Sequence, residues 1–184
     1  MVRALLDGTK TQTRRTIRPR MRKTHAPIES VKFGEPCPYG HPGDRLWVRE
    51  TTCIAPKHFA TPDETCVKDY DGDLRYVSYK ANRHSEEAMR DYKLRWTPSI
   101  HVPRWASRIT LEITEVRSER LQDISEADAE EEGVNMEVAE SISETPGRLA
   151  FSALWESING PGSWDANPWV WVVEFKLINP TTNL

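Results

Sequence analysis

The longest uninterrupted apolar run in this 184-residue chain is the five-residue WVWVV stretch at 169–173. A membrane-spanning helix needs about 20 such residues. Burial must therefore come from short strands and one-sided helices packed on each other. Hydrophobic residues make up 38% of the chain and charged residues 29%, the balance of a globular rather than a disordered protein. The length matches one ordinary domain, so a single domain over 1–184 is expected, with an elaboration at about 55–97. Seven Trp against four Phe and five Tyr is an unusual aromatic balance. Trp155, Trp169 and Trp171 have spacings that suit core packing.

The formal net charge of −3 conceals a strong polarity. Residues 1–23 carry eight bases and one acid, a net of +7, whereas residues 112–144 carry two bases and twelve acids, a net of −10. The basic arm is suited to phosphates; the competing reading is that the two segments neutralise each other. Residues 1–10 contain only a three-residue apolar cluster, Ala4-Leu5-Leu6, well short of the ~7–15-residue core of a signal peptide. Cys37, Cys53 and Cys66 form an odd set. A disulfide framework is not expected, and a cytoplasmic setting is. Cys37-x3-His41 and Cys53-x4-His58 are loosely ligand-like, but neither CxxC nor HExxH occurs, so neither metal nor cofactor is implied.

Residues 2–7 read as a short helix closed by Gly8, because Val2, Leu5 and Leu6 fall at i, i+3 and i+4. Residues 11–17 are β-branched and extended. Residues 25–43 hold four prolines and read as a loop, followed by an alternating strand at 45–50. Asp71-Gly72 predicts a hairpin between 66–70 and 74–79, and Ser85 a helix cap for 85–90. A second core strand at 108–116 has its alternation broken at Val116, which predicts a bulge or strand end near 114–115. Ser125, with Asp128 three residues on, opens a helix that Gly133 ends. Residues 136–147 read as polar and mobile. Phe151, Leu154, Trp155 and Ile158 give 149–159 an apolar stripe, and Pro168 introduces a last strand with Trp169, Trp171, Val173 and Phe175 on one face. The order predicts an α+β fold with a small, mostly antiparallel sheet or barrel.

The densest functional stretch is Gly8-Thr9-Lys10-Thr11-Gln12-Thr13-Arg14-Arg15. It is not a phosphate-binding loop, since GxxxxGK[ST] is absent and no strand precedes it. Together with Pro42-Gly43-Asp44-x-Leu46-x-Val48-Arg49-Glu50, Thr110-Leu111-Glu112-Ile113 and the run from Trp169 to Phe175, it resembles an ASCH domain. The chain is similar nearly end to end to the longer ASCH-type proteins of bacteriophage and prophage genomes; the minimal domain match skips 55–97. Relatives usually carry a short strand before the first helix that is not seen here. The resemblance implies a PUA-like barrel with flanking helices.

The small ASCH proteins best understood are amidohydrolases that deacetylate N4-acetylcytidine. The resemblance puts Lys10 in the place of their base, Thr13 in that of the nucleophile and Glu132 in that of the acid/base, with Glu130 and Glu131 as neighbouring registers. The chemistry is coherent: a Thr hydroxyl attacks only once a base takes its proton, and backbone N–H groups at 8–11 are candidates to hold the oxyanion. A straight strand, however, would aim Lys10 and Thr13 at opposite faces. Arg14, Arg15 and Arg18 are candidates for binding substrate or nucleic acid. Glu50 shares parity with Leu46 and Val48 and is a further candidate for facing the site and binding substrate or nucleic acid; the competing reading is a buried structural Glu that needs a partner, with an Arg or Lys of the basic arm able to supply one. His101, Arg104, Trp105 and Arg108 combine ring and guanidinium groups as base-stacking sites do, although Trp105 also suits a barrel plug. The partner is thus a nucleoside or RNA and not a membrane. The competing readings are an RNA- or modified-base-binding module without turnover, and a ribonuclease, for which no pair of catalytic histidines is evident.

Overall fold

The computed structural model describes residues 2–17, 37–56, 66–82, 93–135 and 143–178. It is an α+β protein, and every strand pairing of described register is antiparallel. The chain divides into two compact units, one built from Arg3–Arg45 and Glu112–Leu177, the other from Leu46–Leu111 with Ile178–Leu184. Among the described residues, seven strands form two sheets. One has the order β1-β7-β6-β2, with β1 Gln12–Thr16, β2 Arg45–Trp47, β6 Thr110–Arg120 and β7 Trp169–Ile178. The other has the order β3-β5-β4, with β3 Thr52–Pro56, β4 Cys66–Lys68 and β5 Leu74–Tyr79. The helices are α1 Val2–Leu6, α2 Glu126–Glu131 and α3 Pro146–Asn159. Among the described residues no helix is long and apolar enough to cross a membrane.

In the first unit the apolar run becomes β7, flanked by β1 and β6. Its buried residues are Val170, Val172, Val173 and Phe175, while Trp169 and Trp171 are only half-buried. This corrects the expected face at Trp169 and Trp171, while Val173 and Phe175 are buried as expected. Val170 and Val172 pack with Phe151 and Trp155 of α3 and with Leu121, Ile124 and Ala129, and the burial parity switches between Val172 and Val173. The Trp169 ring is left beside a polar partner, with the Arg120 guanidinium 4.7 Å over it. Burial of Phe151 and Trp155 contributes about 2–3 kcal/mol each.

Helix α2 opens on the expected capping box: Ser125 Oγ accepts from the Asp128 N–H, and the Asp128 carboxylate accepts from the Ser125 N–H. Gly133, at φ +74, closes the helix; a Cβ there would lie 3.0 Å from Lys10 Cβ. Helix α3 begins at Pro146, three residues before the periodicity predicts. Pro at N1 has its φ preset, and Glu126 of α2 accepts from the N–H groups of Gly147 and Arg148 at 2.7 and 3.1 Å, which satisfies donors the helix leaves open. Strand β6 runs on to Arg120 rather than ending near 114–115. Thr114 and Glu115 are both exposed, so the broken alternation marks a change of facing. Beyond it, Arg117 and Glu119 are held by ion pairs, which stabilise a strand whose composition reads as polar.

In the second unit Asp71-Gly72 forms the expected turn, with Gly72 at φ +84. Asp69 Oδ1 accepts from the N–H groups of Asp71 and Asp73, and Asp69 Oδ2 takes the Arg75 Nε–H at 2.8 Å. The predicted strand at 45–50 stops at Trp47, and β3, not anticipated, pairs with β5 from Thr52↔Tyr79 to Pro56↔Arg75. Cys53, Ala55 and Tyr76 form one core cluster, and Val77, Tyr79, Val102 and Ala106 another. The expected helix at 85–90, most of the loop at 25–43 and residues 136–142 lie outside the described residues.

Candidate functional site

The end of α1, the start of β1 and the C-terminus of α2 meet in the first unit. Lys10 N–H bonds to the Ala4 carbonyl and Thr11 N–H to that of Glu131, which fixes Lys10 opposite Glu132 in an isolated antiparallel bridge. Lys10 Nζ donates to Glu132 Oε2 at 2.6 Å and to the Glu132 carbonyl at 2.7 Å. Two of its three N–H bonds are used. Both side chains are about 5% exposed. The other carboxylate oxygen, Glu132 Oε1, lies 3.3 Å from Arg14 Nη1. Glu132, not its neighbours Glu130 and Glu131, is thus the residue that reaches Lys10.

Arg14 is fully enclosed. Its Nε and Nη2 donate to Glu119 Oε1 at 2.9 and 2.7 Å, and its Nη1 to Gln12 Oε1 at 3.3 Å. The guanidinium lies 5.7 Å from the centre of the Phe151 ring. Gln12 in turn donates to the Asp128 carbonyl, Asp128 Oδ1 and Glu131 Oε2. Arg117 binds Asp128 at 2.8 Å, Glu119 at 3.3 Å and Glu174. Burial works against the Asp128 carboxylate, but hydrogen bonds from Ser125 and Gln12, with the charge of Arg14, hold it at about 2. Gln12, Glu119 and Asp128 escaped the sequence reading. The one signal was the parity Lys10, Gln12, Arg14, which puts Gln12 on their strand face; it says nothing of Glu119 or Asp128.

A small, open cleft of about 80 Å³ lies beside this pair. One wall is polar, with Lys10, Thr13, Arg14, Arg15, Thr16 and Glu132; the other is α3, with Phe151, Leu154, Trp155, Ile158 and Asn159. Leu154 and Ile158 are exposed, and the Trp155 indole N–H is buried with no partner among the described residues. Thr13 and Arg15 alternate with Arg14 and Thr16, yet all four line one cleft. Residues of both parities can line one cleft at the edge of a sheet, and β1 is the end strand of its sheet. Lys10 and Thr13 therefore share the cleft despite their opposite parity. The Thr13 hydroxyl makes no hydrogen bond to Lys10 or Glu132. The N–H groups of Gly8, Lys10 and Thr11 bond to the carbonyls of Leu5, Ala4 and Glu131, so they are not open to an oxyanion as expected.

No family model, curated protein or solved structure matches this chain.

The remaining candidates divide sharply. Arg15 is exposed at the cleft, and Arg18 lies outside the described residues. Glu50, buried in the second unit, is gripped by Arg108 at 2.8 and 3.1 Å, its partner among the described residues. Arg108 also covers the Tyr79 ring at 4.0 Å; burial, opposed by the Arg108 charge, pushes the Tyr79 hydroxyl up to about 12. Trp105 packs against the cluster of Val77, Tyr79, Val102 and Ala106, which fits the plug reading. His101 and Arg104 are exposed. Trp47, which the sequence reading passed over, has two guanidinium groups at its ring: Arg49 and Arg104 lie 4.6 and 5.7 Å from its centre. Among the described residues no group of three metal-binding side chains occurs. Cys37 and Cys53 are buried free thiols, and burial raises the Cys53 thiol above its ordinary value.

Proposed function

We propose that this cleft is an amidohydrolase site of the ASCH, PUA-like type, acting on an N4-acylated cytosine nucleoside. The observation that supports it is the buried Lys10–Glu132 pair at the cleft, formed by the two residues that the resemblance matches to base and acid/base. In the reaction the Lys10 proton passes to Glu132 across their 2.6 Å contact, leaving an amine. Thr13 Oγ then attacks the acyl carbon, and its proton goes to Lys10. Protonation of N4 by Glu132 breaks the C–N bond, releases the cytosine amine and leaves an acyl ester on Thr13. The Lys10 proton passes to Glu132 once more; water then attacks the ester carbon as Lys10 takes its proton, and Glu132 protonates Thr13 Oγ as the C–O bond breaks, which releases the carboxylic acid and restores Thr13 and the ion pair. Arg15 at the mouth supplies charge for a 5′-phosphate or an RNA strand.

A second reading, a modified-base-binding module without turnover, is favoured by one observation. Thr13 pairs with Val173, whereas Arg14 pairs with Val172 on the face covered by α3, which turns the Thr13 side chain from the Lys10–Glu132 pair. One experiment decides between the two. Purified protein is incubated with N4-acetylcytidine, and cytidine and acetate are followed by chromatography. Turnover that Thr13→Ala abolishes is expected. Wild type and Thr13→Ala alike without turnover, together with nucleoside binding, would replace the hydrolase by the module.

A further inference from the structure

The main-chain register of β1 has a consequence for what the cleft recognises. Phe175 N–H bonds to the Thr11 carbonyl and Ile17 N–H to the Trp169 carbonyl. In an antiparallel ladder, bonded and non-bonded positions alternate. The odd positions of β1 therefore face β7, and the N–H and C=O of Gln12, Arg14 and Thr16 face away from it. Because β1 ends the sheet, no described strand takes those groups. Arg14 and Thr16 both line the cleft. The free edge spans the five residues of β1, three of them outward. The facing wall is apolar, suited to the face of a flat ring, and it also holds the unpartnered Trp155 N–H.

We infer that Thr16 reads the ligand's base through its main chain: its N–H donates to a ring nitrogen, and its C=O accepts from the adjacent exocyclic N–H. The two groups of one outward residue sit side by side, as do N3 and N4–H of cytosine. The substrate class is a pyrimidine with an acceptor at N3 and a donor at N4, held edge-on to β1 with its ring against Leu154 and Ile158. Uridine, with a donor at N3 and an acceptor at position 4, presents the opposite pattern. This assignment rests on the nucleoside reading above, but not on turnover.

The test measures binding by calorimetry for cytidine, N4-acetylcytidine, N4-acetyl-3-deazacytidine, in which C–H replaces N3, and uridine, each with wild type and Thr16→Pro. Proline deletes the Thr16 N–H. At an outward edge position it removes no ladder bond. About tenfold weaker binding is expected for the deaza analogue with wild type, and for N4-acetylcytidine with Thr16→Pro. The two losses should not add, because they remove one bond. Uridine should bind more weakly than cytidine. Equal affinity for N4-acetylcytidine and its deaza analogue would overturn the assignment even if Thr16→Pro fails to fold. If wild type hydrolyses N4-acetylcytidine while the analogues bind alike, edge recognition falls and the hydrolase stands. If the analogues differ as expected without hydrolysis, the hydrolase falls and edge recognition stands. If an extended peptide binds and no nucleoside does, both fall.

Discussion

Glu132 in the first unit and Glu50 in the second are both glutamates buried to about 5% exposure, and both are neutralised by cations. Their settings differ in the kind of cation. Glu50 is held by the two-pronged grip of one guanidinium, itself covering a ring. That geometry satisfies both oxygens and fixes them. Glu132 divides its oxygens between Lys10 and Arg14, and its Lys10 partner lines an open cleft. An ammonium is a compact point charge that accepts and releases a proton, whereas a guanidinium keeps its own. The first arrangement holds an element in place; the second leaves a proton to move.

The largest expected effect separates the two directly. Lys10→Met should lower kcat on N4-acetylcytidine by about 10²–10⁴-fold, while Glu50→Gln leaves kcat within a factor of about two. If both variants lose activity equally, the contrast between a chemical and a structural glutamate collapses. Next is stability. Glu50→Gln strands Arg108 and should cost about 3 kcal/mol in urea unfolding, near the lower end for breaking a buried pair. Arg108→Lys keeps the charge but loses the fork, and should cost about 1–2 kcal/mol. A negligible cost for either would mean that this pair does not hold the second unit together.

The smallest effect concerns pH. Asp128 is held at about 2 against an ordinary 3.8, so folding favours its ionised form. Its contribution is complete above about pH 4 and is lost as the pH falls through about 2; it is on the order of 1–2 kcal/mol, since the group is partly solvated. Asp128→Asn should flatten thermal stability against pH over that window in the first unit. An unchanged acid limb would remove Asp128 from the network that supports Glu132.

The sequence carried α2 well, because a capping box and a terminal glycine are local signals, and it carried the 71–72 turn for the same reason. It misplaced the buried face of the last strand, since WVWVV offers apolar side chains in both directions and only the packing of Phe151 and Trp155 chooses Val170 and Val172. It ended β6 too early, because Arg117 and Glu119 look solvated until their partners, far off in sequence, are known. Among the site residues, Lys10 and Glu132 were legible through a family resemblance. Gln12 and Asp128 were not, for a polar residue on a strand and a capping residue on a helix have ordinary local explanations. Glu50 was anticipated as buried, but its partner lies 58 positions away, a separation that local pattern does not encode.

Lys10 and Glu132 are 122 positions apart in the chain. A contact of that span forms only after a long loop has closed, which costs entropy before anything repays it and slows folding. In refolding from urea, helical signal from α3 should therefore return before catalytic competence. A chain released before residue 132 has been synthesised would already display its basic arm, yet would have no carboxylate to set against Lys10. On the proposed reading, activity would thus report that the chain has been made at least through residue 132 and that Lys10 and Glu132 have met.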